Sequence, residues 1–166
     1  MNRAFKDAIV KLLGEHRVLT LATVRPDGWP HATLVGFCND GLALYMFVSR
    51  DSQKVRNIRH EPRVSAAVGS DTRRPLDIKG LSLAGRAVVV EDRSEIEHAR
   101  TLYLQRYPEY RVLPAPNPAE IAMLRLVPDV VSVTDYSKGF GHADLVSVSA
   151  DDVEEIVDQH RRHWAG

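Results

Sequence analysis

The chain has 166 residues, 44% of them hydrophobic and 27% charged, the size and make-up of one domain with a core of its own. Its 22 basic residues balance 22 acidic ones, which argues against a dedicated nucleic-acid binder without forbidding a local anion pocket. The single cysteine, Cys38, excludes an internal disulfide and a cysteine-based metal site, and no apolar run nears the ~20 residues that span a bilayer.

The opening MNRAFKDAIVKLLGEH is amphipathic and carries acidic residues, unlike a signal peptide, so the reading is a cytoplasmic protein without a membrane partner. Phe5, Ile9, Leu12 and Leu13 share a helical face that ends near Gly14. RVLTLATV (17–24) alternates and is rich in β-branched residues, which predicts a strand. RPDG (25–28) predicts a turn, HATLVGFC (31–38) a second strand, and Asn39, Asp40 and Gly41 a hairpin into a third strand, LALYMFV (42–48). A short helix fits 52–60, capped by Asp51 or Ser52 and stopped by Pro62, and VSAAV begins a fourth strand.

SDTRRPLDIKG (70–80) reads as a polar loop, and LSLAGRAVVVED (81–92) as a long strand whose Gly85 signals a bulge or a close backbone approach. Residues 94–107 predict a helix capped by Ser94, with Ile96, Ala99, Leu102, Tyr103 and Tyr107 on one face. After the Pro-rich 108–120, IAMLRLV (121–127) and VVSVTDY (130–136) read as a last hairpin. SKGFGHADL (137–145) bears glycines, and residues 150–164 predict a final helix, acidic at its start and basic at its end. With no repeat and no linker, residues 1–166 read as one α+β, mainly β, domain: an antiparallel barrel with peripheral helices. A doubly wound fold is excluded, because strands and helices do not alternate and no Gly-rich turn follows the first strand.

Three segments carry chemistry. In DSQKVRNIRHEPRVS (51–65) a helix start offers free N–H groups, and Ser49, Ser52 and Lys54 add donors and charge suited to a phosphate; a solvated basic helix face is the plainer alternative. Ala32, Thr33, Leu34 and Val35 form a strand without large polar groups, against which a flat aromatic ligand could lie, or which is plain sheet core. Lys138, Phe140 and His142 project from a glycine-flanked loop that could cover a ligand, or that merely turns into the last helix. The histidines (16, 31, 60, 98, 142, 160 and 163) lack metalloprotease spacing; His160 and His163 stand three apart, more in keeping with a surface pair, so no metal is assigned. Neither Ser149 nor Cys38 has a base partner, and no nucleophile elbow appears.

These pieces in this order, LTLATVRPDGWPHATLVGF, then LALYMFVSRDSQKVRNIRHEPRVSAAV, then LSLAGRAVVVED and a helix, resemble the pyridoxamine 5′-phosphate oxidase-like family of flavin-binding split β-barrels. The resemblance covers roughly residues 5 to 136. It implies that flavin mononucleotide (FMN) is held with its phosphate at Ser49, Ser52, Gln53 and Lys54, with Arg50 nearby. It lays the ring along Ala32, Thr33, Leu34 and Val35, and the ribityl chain beside Phe47 and Val48. It also implies a homodimer with flavin at the interface, so that Lys79, Gly80 or the 137–142 loop approaches the flavin from either chain.

The chain departs from the true pyridoxamine phosphate oxidases in three places. They carry an arginine where Thr33 aligns, Arg-Lys where this chain has Gln53-Lys54, and a substrate segment with tryptophan and arginine where this chain has YSKGFGHADL. The resemblance therefore implies an FMN-dependent oxidoreductase of another small molecule, with Lys138 and His142 as proton donors or substrate contacts. Two alternatives share the barrel. A deazaflavin coenzyme would engage Arg50, Arg56 or Arg59 with its anionic tail, and a flavin- or haem-storing protein without turnover could use His142 as an axial ligand.

Overall fold

A computed structural model describes residues 1–153. Of the helix expected over 150–164, residues 154 onward, including His160 and His163, lie outside the described residues. The architecture is a strongly curled antiparallel sheet with helices around it, mainly β, as expected for a split barrel. Helix α1 (Arg3–Gly14) starts where the Asn2 side chain accepts the Phe5 N–H at 2.9 Å, and it buries Ile9 and Leu13 against the sheet. Strands β1 (Val18–Val24) and β2 (Pro30–Gly36) form a hairpin, its turn closed by Gly28 at φ 86°. They are followed by β3 (Cys38–Asp40), β4 (Ala43–Ser49), helix α2 (Gln53–His60), β5 (Arg63–Gly69) and β6 (Lys79–Val89). Helix α3 (Arg93–Arg106), β7 (Ile121–Asp135) and β8 (Ala143–Ser147) complete the described chain.

The strands are ordered β2-β1-β5-β6-β7-β4-β3, and β8 adds to the far half of β7. Curling brings β2 back alongside β4 without strand pairing between them, which is the split in the barrel. Alternation along each strand sends Leu19, Leu21, Leu44, Met46, Val64, Ala66, Leu81, Leu83, Leu124 and Leu126 into the interior, where they join Ile9 and Leu13. The opposite face of β4 and β7 supplies Ala43, Tyr45 and Met123 to a second cluster under α3, with Cys38, Val90 and Ala99. Among the described residues no helix is long and apolar enough to cross a membrane.

Four local expectations need correction. The second strand does not run through to residue 38: it breaks at the buried Phe37, whose N–H donates to the Tyr107 hydroxyl at 2.9 Å, while that hydroxyl donates to the Arg17 carbonyl. Hence β2 pairs with β1, β3 pairs with β4, and the expected three-stranded meander does not form. The last hairpin is absent, because 121–135 is one strand. Pro128 does not turn the chain: it faces Gly85 at a register shift in the β6–β7 ladder, where its missing N–H costs little. A Cβ on Gly85 would stand 2.7 Å from the Pro128 Cα, so the close approach expected there is real. Lys79 and Gly80 belong to β6 rather than to a loop, and Asp92, not Ser94, caps α3 by accepting the Glu95 N–H at 2.8 Å.

Candidate functional site

The end of β4 and the start of α2 build a corner from local chain geometry. The Ser52 N–H donates to the Ser49 carbonyl at 3.1 Å, which turns the chain, and Ser52 then stands at the N-cap with extended backbone. Its hydroxyl makes no capping bond: Oγ is buried and without a partner. The first N–H groups of α2 have no acceptor inside the helix, as helix geometry dictates. Lys54 is half-buried, and its ammonium takes part in no hydrogen bond or ion pair among the described residues. The corner therefore gathers unspent donors and one uncommitted cation.

Its neighbours are already engaged. The Arg50 guanidinium donates to the carbonyls of Ala119 (3.0 Å) and Ile121 (2.7 Å), tying the Pro-rich segment to β4. Arg56 donates to the Asp51 carbonyl at 2.5 Å and to the Gln53 side chain at 2.9 Å. Gln53 in turn donates to Asn57 at 2.7 Å, Asn57 to the Thr23 hydroxyl at 2.8 Å, and Thr23 to the His31 carbonyl at 3.3 Å. Asn57 and Thr23 are almost fully buried. This line of hydrogen bonds carries the start of α2 across to β2.

Along β2 the side chains divide. Thr33 and Val35 face inward opposite Leu21 and Leu19, whereas Ala32 and Leu34 face outward, Leu34 at 76% exposure. The Thr33 hydroxyl and the His31 Nδ1 are buried without partners among the described residues. Phe47 and Val48 also diverge. Val48 enters the interior, and Phe47 meets Tyr103 edge-on at 5.0 Å beneath α3.

The other expected residues gather at the opposite end of the molecule. Strand β7 runs from Ile121, beside Ser49, to Asp135, beside Lys79. Its 15 residues have a contour of roughly 46 Å at strand rise. Gly80 lies there between Gly69 and Thr134, where a Cβ would stand 2.7 Å from the Val68 carbonyl oxygen. Lys79 pairs with Asp135 at 3.7 Å, and Lys138 and His142 share Asp144 at 3.1 and 3.2 Å. Hydrogen bonds from Lys138 and then His142 hold the Asp144 carboxyl below the usual carboxylate range. Phe140, 82% exposed, rests on Tyr136 between Gly139 and Gly141, both at positive φ. With Phe5, Leu12 and Lys11 of α1, this end frames a groove of about 420 Å³.

Within one chain, then, β2, with residues 32–35, and β4, which leads into the α2 corner, flank the split, whereas Lys79, Gly80, Lys138, Phe140 and His142 lie toward the far end of β7. Sequence reasoning did not single out His31, whose ring nitrogen is orphaned here among the described residues. Its signal was present, because it stands two residues before Thr33 and so shares that residue's face of the strand. Cys38 is chemically quiet: burial pushes its thiol up to about 12.

The family described as pyridoxamine 5′-phosphate oxidase matches residues 5–134. General stress protein 26 of Bacillus subtilis is 35% identical over 66 residues, which span 40% of this chain and 46% of that protein. The structure of a heme binding protein from Mycobacterium smegmatis superposes with a TM-score of 0.74 at 23% identity, over 93% of this chain and 62% of that one. General stress protein 26 from Bacillus anthracis str. Sterne superposes at 0.65 with 23% identity, over 87% of this chain and 98% of that one. At such identities the two superpositions speak for the fold.

Proposed function

Since the chain belongs to the pyridoxamine 5′-phosphate oxidase family, we propose that it binds FMN at the β4–α2 corner and serves as an oxidoreductase of a small molecule. The observation that carries this reading is the pairing of a buried, partnerless Ser52 hydroxyl with the uncommitted Lys54 ammonium at a helix N-terminus. A phosphate dianion supplies the acceptors that both lack, and the α2 dipole favours it further. These residues fit the group. Ser52 and the first N–H groups of α2 would donate to phosphate oxygens, and Lys54 would balance their charge. The edge of β2 over residues 32–35, paired only with β1 among the described strands, offers backbone donors and acceptors to the rim of a flat ring. When bound, the flavin supplies hydride or electron transfer; the protein supplies binding, orientation and exclusion of water.

The partner in this reading is a second copy of the chain. The outer face of β1 and β2 leaves Val18 and Leu34 at 47% and 76% exposure, and the turn between them leaves Trp29 at 71%, apolar surface suited to burial. A dimer would also let the 137–142 end of one chain approach the corner of the other, which a single chain does not do. In that arrangement Lys138 and His142, held by Asp144, would contact the substrate.

A haem-binding reading has one observation in its favour. The His142 imidazole is oriented by Asp144, the kind of carboxylate support that ligating histidines use, and the Mycobacterium smegmatis relative by fold is a heme binding protein. The deazaflavin reading draws less support, since Arg50 and Arg56 are both committed within the chain. The absorbance spectrum of the protein after separate incubation with FMN, deazaflavin coenzyme and haem, followed by gel filtration, decides among them. A retained flavin spectrum is expected. Retention of haem alone, or of nothing, would sink the FMN proposal.

A further inference from the structure

We propose that His31 is an additional ligand of the anionic group at the β4–α2 corner, making up for the cation that Gln53 does not provide. The inference rests on the phosphate-binding reading of that corner and adds a residue to it. Three observations carry it. First, the His31 Nδ1 is buried with no partner, as are the hydroxyls of Thr33 and Ser52. A ring nitrogen taken out of water costs free energy unless something bonds to it. Second, His31 and Thr33 stand two residues apart on β2 and project from the same inward face, opposite Thr23 and Leu21. Third, the hydrogen-bond line from Gln53 through Asn57 and Thr23 ends on the main-chain carbonyl of His31, fixing the backbone of this part of β2 against α2.

Charge completes the argument. Gln53 spends its amide within the chain, donating to Asn57 and accepting from Arg56, so it is a strut rather than an anion ligand. Arg50 and Arg56 are spent as well. Lys54 is left as the sole uncommitted cation among residues 49–57. A dianion needs more than one compensating group, and an imidazole with a free, inward-facing nitrogen is the residue placed to give it. The occupant's shared chemistry is a terminal phosphate, whether that of FMN or of another phosphorylated molecule.

The test compares two probes that differ only in the phosphate. Dissociation constants for FMN and riboflavin are measured for the wild-type chain, His31→Ala and His31→Asn, with thermal melts as the control for folding. The expected result is a loss of about tenfold in FMN affinity for His31→Ala, riboflavin affinity within about twofold, and partial recovery in His31→Asn, whose amide reaches the Nδ1 position. Equal losses for both probes, or none, would overturn the role of His31. A wild-type chain that holds neither flavin would sink the FMN reading separately. Inorganic phosphate, followed by NMR, then decides the inference. The His31 ring resonances should move together with the Ser52 and Lys54 amides; if those amides move and the ring does not, or if nothing moves, His31 is no ligand.

Discussion

The β5–β6–β7 ladder and the β4–α2 corner treat polar groups in opposite ways. In the ladder each strand lies between two neighbours, and the two glycines of β6 let backbones approach where any side chain would collide. In the corner a buried hydroxyl, a buried ring nitrogen and an ammonium have no partners among the described residues, and β2 pairs along only one of its edges among the described strands. The first region uses its geometry for stability. The second keeps binding capacity in reserve, and it should respond to substitution through ligand affinity rather than through melting temperature.

That contrast can be broken at three points. Gly85→Ala should have the largest effect, a destabilisation of roughly 3 kcal/mol, because the added methyl meets the backbone of Val127 and Pro128 and neither can yield cheaply. Chemical denaturation measures it, and a change below ~1 kcal/mol would mean that the bulge relaxes freely. Lys54→Ala should weaken FMN binding by ~1–3 kcal/mol while leaving unfolding within about 0.5 kcal/mol, since no hydrogen bond or ion pair among the described residues is lost. An unaltered FMN dissociation constant would put the phosphate elsewhere. Ser52→Ala sharpens the comparison with the smallest change. A capping serine would cost about 1 kcal/mol of stability when removed. This one makes no capping bond, so the melt should stay level or rise slightly while FMN affinity drops by about 1 kcal/mol.

The corner was legible in sequence because its signals are local. A strand, a serine N-cap, a lysine two residues later and a terminating proline lie within Ser49–Pro62, and Gly85 announced the close approach it makes. The split itself was less legible. The break at Phe37 involves Tyr107, seventy residues away, whose hydroxyl shares the Phe37 N–H with the Arg17 carbonyl. Val127-Pro128-Asp129 looked like a turn, because sequence alone does not reveal that β7 continues through it and takes up Asp129 as an extra residue opposite Ala84 and Gly85. Lys79 and Gly80 looked like loop for a related reason: their strand state comes from partners in β5 and β7, not from their own propensity. His31 went unnoticed as a site residue because an orphaned nitrogen is visible only once burial and partners are known.

Strand β7 has a consequence for how the protein is made. Leu44 pairs with Leu126, so 82 further residues must follow it before the β4 ladder is complete. At bacterial or eukaryotic synthesis speeds that interval is roughly 4–16 seconds on the ribosome. Throughout it the apolar strand β4 is paired along one edge only, with the three-residue β3, and the edge that β7 takes is open. Nascent chains stalled before residue 121 should therefore be the species that chaperones hold, and completion of β7, the central staple of the sheet, should be the event that releases them.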